Sequence, residues 1–177
     1  MTTITNDDRT GAAALGRQLA VGALGAAAFG VAAATGHGAL AMTRAVWMGP
    51  ALFVGGAALA TPPLYLFGAL AGSRLPAVGA ADRCGRALAA VGTALLGLAP
   101  AAAFVSTTMR TFTAPLLLVV TCAVAGGAGV AAVTTETMRS DRRPGVHLAA
   151  LLWTGFALAL GVRLIVALSH RLDGVMS

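Results

Sequence analysis

The sequence predicts an all-α, polytopic membrane protein: a bundle of five transmembrane helices with the N-terminus in and the C-terminus out. Hydrophobic residues make up 58% of the 177 residues and charged residues only 10%, whereas soluble domains carry about 25% charged residues. Five apolar stretches are each long enough to cross about 30 Å of hydrocarbon as a helix. The basic residues are also divided unevenly among the polar segments between these stretches.

Apolar length and the intervening polar segments place the five spans. The runs are rich in Ala and Leu and lack the alternation of membrane β-strands, so helices are predicted. A cytoplasmic tail is expected at 1–18 and an outer tail at 169–177. The predicted spans are about 19–42, 45–72, 87–106, 114–133 and 148–168.

The first span has a second interpretation. Ala39-Leu40-Ala41 follows its apolar run and fits the small-residue pattern of a signal-peptidase site. We favour a membrane span, because the run is long enough to cross the bilayer. In addition, Asp7 and Asp8 interrupt what would be the basic start of a signal peptide.

Arginine placement predicts the orientation. The sequence contains no lysine, so all twelve basic residues are arginine. Five spans place eight of these arginines on one side of the membrane and four on the other. The eight are Arg9, Arg17, Arg74, Arg83, Arg86, Arg139, Arg142 and Arg143, and the four are Arg44, Arg110, Arg163 and Arg171. Cytoplasmic loops carry the excess of basic residues, so the larger set is placed inside a bacterial inner membrane.

The basic loops indicate anionic lipid headgroups as partners. The arginines are split over short segments between spans, which disfavours nucleic acid, and each contributes about 1 kcal/mol near an anionic surface. A cytosolic acidic partner is the alternative. The residues expected at the headgroups are Arg83, Arg86, Arg139, Arg142 and Arg143.

Small residues at helical spacing predict close helix packing. The first span has one at every fourth position, GALAG (68–72) has a glycine at each end, and GGAG (126–129) marks a similar face in the fourth span. Two interpretations stay open: packing within the chain, or a seam between molecules with the first span as the best candidate. The packing residues are Gly22, Ala26, Gly30, Ala34, Gly38, Gly68, Gly72 and Gly127.

A proline pair interrupts the second span. Pro62 and Pro63 remove two N–H donors, so a kink is expected there, although Thr61 can satisfy one freed carbonyl. Broken helices also line transporter sites. A pathway would then use Thr61, Pro62 and Pro63 together with Arg163, which otherwise is expected to extend to the outer interface.

The remaining sequence offers little chemistry. Without lysine there is no phosphate-loop lysine and no Schiff base, and Cys84 and Cys122 have no metal-binding or redox spacing. His37 and His170 fall near outer span ends, where interfacial histidines are favoured over a haem site. We therefore expect no catalytic residue, metal or cofactor.

Three segments carry a resemblance to known proteins. GPALFVGGAALATPPLYLFGALAG (49–72), LLGLAPAAAFVSTT (95–108) and LLWTGFALALGVRLIV (151–166) resemble a group of small, uncharacterised bacterial multi-pass membrane proteins. More remotely, the predicted topology is similar to that of Yip1-type membrane proteins. The long cytoplasmic N-terminal region of that type has no counterpart here, so no functional residue is carried over.

These features favour a non-enzymatic membrane protein. The expected role is a structural or accessory subunit that packs through small-residue helix faces into a homo-oligomer or a larger membrane complex. The alternative is a small transporter or channel, with the proline-broken second helix lining the pathway.

Overall fold

The computed structural model describes residues 6–73, 76–108, 113–141 and 143–176, with side chains for 11–36, 38–73, 76–108, 120–141 and 143–163. These residues form five α-helices and no strand. The helices are α1 (Asn6–Ala34), α2 (Ala39–Leu70), α3 (Ala77–Thr108), α4 (Thr113–Ser140) and α5 (Pro144–Met176), with a 3₁₀ turn at Thr35–His37 between α1 and α2.

Four helical segments are long and apolar enough to cross a membrane: Gly11–Ala34, Ala39–Leu70, Ala77–Thr108 and Pro144–Arg163. They belong to α1, α2, α3 and α5, so the chain is a multi-pass membrane protein. The fourth predicted span, 114–133, lies inside the helix α4. Its crossing of the membrane stays a prediction.

The first two helices are divided at a different place from the one predicted. The predicted spans 19–42 and 45–72 leave Thr43 and Arg44 between them, but both residues lie inside α2, and the chain turns at Thr35–Gly38. Gly38 has φ +90°, a conformation that glycine adopts at little cost. Likewise, the polar segment predicted as a tail at 1–18 is helical from Asn6.

Helix α2 continues through its prolines. Pro50, Pro62 and Pro63 all lie within the single helix Ala39–Leu70, so the proline pair does not break it. The Thr61 hydroxyl donates to the carbonyl of Ala57 at 2.8 Å, and the indole N–H of Trp153 in α5 donates to the carbonyl of Ala60 at 2.8 Å.

Helices α2, α3, α4 and α5 form a ring. In chain order each packs against the next, and α5 packs back against α2. Helix α1 lies outside this ring and packs mainly against α3, with a second contact to α2. The bundle is therefore a four-helix ring with one buttressing helix.

Helices α1 and α3 run in the same direction at very close range. Gln18 donates to Asp82 at 3.1 Å near one end, and the hydroxyls of Thr35 and Ser106 lie 2.7 Å apart near the other. Between them, an added Cβ on Gly25 would lie 1.9 Å from the Gly92 carbonyl oxygen. Only glycine allows the two backbones to approach this closely.

Candidate functional site

A cavity of about 280 Å³ lies inside the ring. Small side chains create it, because glycine and alanine on facing helices leave the ring centre unfilled. Its described lining is almost wholly apolar and comes from all four ring helices. Representative residues are Phe53, Ala57, Gly127, Ala157 and Gly161.

A layer of buried residues closes one end of the cavity, and we call this layer the floor. Trp153 is 2% exposed and its indole bonds the Ala60 carbonyl, which joins α5 to α2. Val133 and Cys84 belong to the same buried cluster and supply the α4 and α3 sides. Beyond this layer Leu64 continues the cluster. The cavity is therefore closed toward the end of the bundle where α2 and α4 terminate.

The residues predicted to line a pathway do not line this cavity. Thr61, Pro62, Pro63 and Arg163 are all absent from its described lining. Thr61 bonds within its own helix, and Arg163 is exposed. The cavity nevertheless lies directly beside the proline pair, because Ala57 and Ala60 form part of its wall.

A polar layer ties the helices together at the closed end. The guanidinium of Arg83 in α3 donates to Thr137 at 3.1 Å and to Ser140 at 3.0 Å, both in α4. Arg86 forms ion pairs with Asp82 at 3.1 Å and with Glu136 at 2.8 Å. Two of the arginines predicted at lipid headgroups thus make contacts within the chain.

The loop after α4 contributes to the same end. Arg143 donates to the Gly72 carbonyl at 2.9 Å and lies 3.9 Å from Asp141. Arg139 is exposed. Arg142 lies outside the described residues, as do Arg74 and Arg110. The described members of the larger arginine set therefore gather at one end, where they flank the termini of α2, α4 and α5.

The small-residue face predicted on the first helix is occupied within the chain. An added Cβ on Gly22 would meet Leu88 of α3 at 2.5 Å, and one on Gly30 would meet the Ala45 carbonyl oxygen of α2 at 2.9 Å. Ala26 is 2% exposed. Ala34 is half-buried at the end of α1. Of the two interpretations of this face, packing within the chain is therefore the one that the structure shows.

The other predicted packing glycines have different roles. Gly72 ends α2 with φ +73°, and its N–H donates to Ala69 at 3.0 Å. This is the left-handed glycine that commonly terminates helices. Near Gly68, an added Cβ would meet only the Ser73 side chain, at 3.7 Å. Gly127 has no neighbour within 4 Å of such a Cβ and faces the cavity.

Sequence reasoning missed the ion-pair layer and the cavity floor. Asp82 and Arg86 are four residues apart, which is a helical ion-pair spacing, and this signal was present in the sequence. The pairing of Arg86 with Glu136 and of Trp153 with Ala60 joins residues 50 to 93 positions apart in sequence. No local pattern reports such contacts.

No family model matches the chain, and comparisons with curated proteins and with solved structures also give no match. The resemblance to Yip1-type proteins stays a prediction. Among the described residues, no group of three or more His, Cys, Asp or Glu side chains could hold a metal ion. The side chains of His37 and His170 lie outside the described set.

Proposed function

We propose that this is a non-enzymatic structural or accessory subunit of a bacterial inner membrane, with five spans, the N-terminus inside and the C-terminus outside. It associates through a small-residue helix face, either with further copies of itself or with a larger membrane complex. The observation that supports this role is an exposed small-residue face on α3.

This face is formed by Ala90, Ala94, Gly97 and Ala101, which follow one another at helical spacing and are all exposed. An added Cβ on Gly97 would meet nothing within 4 Å. We call these four residues the α3 outer face. Another backbone can approach closely there, and close backbone approach is what drives helix association in lipid.

The α3 outer face, rather than the first helix, is the candidate surface for contact between molecules. The face that includes Gly22 and Gly30 already contacts α3 and α2, so a partner could use it only by displacing those helices. By contrast, nothing described in the chain covers Gly97. On α5 the surface around the exposed Gly155 is bulky, because Leu151, Leu152 and Phe156 project there.

The test is to replace Gly97 with leucine and measure assembly. Leucine at this exposed site keeps the lipid-facing surface apolar, so the fold should persist while close approach is blocked. We expect Gly97→Leu to reduce the assembly mass in mild detergent to that of one chain, or to abolish co-purification of a partner. Gly155→Leu, at another exposed helical glycine whose added Cβ also meets nothing within 4 Å, should change neither. Unchanged assembly in Gly97→Leu would contradict the proposed role.

A small transporter or channel is the second candidate, favoured by the cavity at the centre of the ring. Conduction would require the floor to open, because Trp153 and its bond to Ala60 obstruct the route through the ring. Ion and solute flux into liposomes tests this function. A flux that is higher for Trp153→Ala than for the unmodified protein would support it. If liposomes containing either protein show no more flux than protein-free liposomes, the function is excluded.

A further inference from the structure

The cavity has the depth of one membrane leaflet. Its far rim is marked by Leu52, Cys122 and Val162. These residues lie 18 positions from Leu70, Ser140 and Pro144, respectively, which are helix ends at the closed end of the ring. At 1.5 Å per residue the rim is about 27 Å from that end, close to the ~30 Å thickness of the hydrocarbon core.

The floor lies about halfway between these helix ends and the rim. Trp153 is nine residues from Pro144, which is about 13 Å along the helix. Ala60 is ten residues from Leu70, about 15 Å. The cavity is therefore about 12–14 Å deep along α2 and α5. This depth is close to half of the ~30 Å hydrocarbon thickness, which is the length that the acyl chains of one leaflet cover.

The chemistry of the wall fits a hydrocarbon occupant. Apolar cavities do not hold water, and an engineered apolar cavity of about 150 Å³ takes up benzene. The present cavity is about 280 Å³ and is elongated along the helices. A flexible chain fills such a shape better than a compact ring does.

A cation lies at the rim. Arg163 directly follows Leu160, Gly161 and Val162, all of which line the cavity, and its side chain is exposed. No described residue forms an ion pair or hydrogen bond with it. Arg163 is about 29 Å from Pro144 along α5, which is nearly the ~30 Å thickness of the hydrocarbon core.

We propose that the cavity binds one acyl chain of an anionic phospholipid from the leaflet opposite the polar layer, and that Arg163 binds its phosphate. The chain lies along the small residues of the wall and its methyl end reaches Trp153. This lipid fills the ring centre that the protein's own side chains leave empty.

Tryptophan fluorescence tests the occupant. Trp47 is 78% exposed, so Trp47→Phe leaves Trp153 as the only tryptophan and removes the signal from the surface. The protein is placed in nanodiscs of phosphatidylglycerol carrying bromine either near the chain end or near the headgroup. We expect strong quenching by chain-end bromine and weak quenching by headgroup-end bromine, because Trp153 forms the floor.

Cavity-filling variants supply the control. An added Cβ on Gly161 or Gly127 has open space and points to the cavity, so Gly161→Leu and Gly127→Leu should fold and abolish most of the quenching. Gly155→Leu, on α5 but outside the cavity lining, should retain it. Equal quenching in all three variants would overturn the proposal, as would the absence of chain-end quenching in the Trp47→Phe protein.

Headgroup recognition is tested separately. In competition between brominated phosphatidylglycerol and phosphatidylcholine, Arg163→Gln should lower the preference for the anionic lipid about fivefold, the effect of one arginine near a lipid surface. Arg44→Gln, from the same predicted side of the membrane, should not. If free fatty acid displaces the quencher and phospholipid does not, or if both arginine variants behave alike, the phospholipid assignment is wrong.

Discussion

Replacement of Gly25 by alanine should loosen the contact between α1 and α3. The new methyl group would lie 1.9 Å from the Gly92 carbonyl oxygen and 2.6 Å from the Gly92 Cα. Both are backbone atoms, so no rotamer change can relieve the overlap. The two helices would have to separate by more than about 1 Å, and a gap of 0.5–1 Å already removes about a quarter to a half of the dispersion energy of each contact.

The expected cost follows from two opposing effects. Overpacking in a close-packed interior typically costs about 1–3 kcal/mol, and here the neighbouring contacts at Gly22 and Ala26 weaken as well. Alanine recovers at most about 1 kcal/mol of helix propensity. The variant should therefore lose about 2 kcal/mol of unfolding free energy.

Unfolding in mixed micelles with increasing SDS, followed by circular dichroism, measures this difference. Gly16→Ala is the matched control in the same helix, because an added Cβ on Gly16 meets nothing within 4 Å. It should be neutral or gain up to about 1 kcal/mol. If the two variants had the same stability, the close approach of α1 and α3 would be refuted.

Two further substitutions address the floor and the polar layer. Trp153→Phe removes the donor to the Ala60 carbonyl and should lower the unfolding free energy by about 1–3 kcal/mol in the same titration. Trp47→Phe, on the exposed surface, should change it by less than about 0.5 kcal/mol. Equal losses in the two variants would show that the indole hydrogen bond contributes nothing to stability. Arg86→Gln should cost less than about 1 kcal/mol, because the arginine is 52% exposed in its ion pairs. That loss should shrink in high salt, and a loss independent of salt concentration would contradict an electrostatic origin.

The all-helical class was predictable from the sequence, but the position of the first turn was not. Averaged hydropathy marks Thr43 and Arg44 as polar, yet a helix tolerates both side chains at its outer surface. The backbone instead turns at Gly38, where φ is positive. A glycine-rich sequence offers many such positions, and only tertiary packing selects one.

The candidate site was less predictable, because small residues can have two opposite structural effects. On α1 they permit backbone contact, as Gly25 does against Gly92. On α4 and α5 the same residue type leaves empty space, as Gly127 and Gly161 do. Which outcome occurs depends on the distance between helices, and that distance is set by contacts far apart in sequence.

The parallel pairing of α1 and α3 has a consequence for biogenesis. Gly25 and Gly92 are 67 positions apart, and the whole of α2 lies between them in the chain. During synthesis α1 therefore emerges first, with its glycine surface facing lipid or the insertion machinery. It gains its main partner only after most of α3 has been made. The last two helices, which complete the ring, follow all three of these helices in the chain.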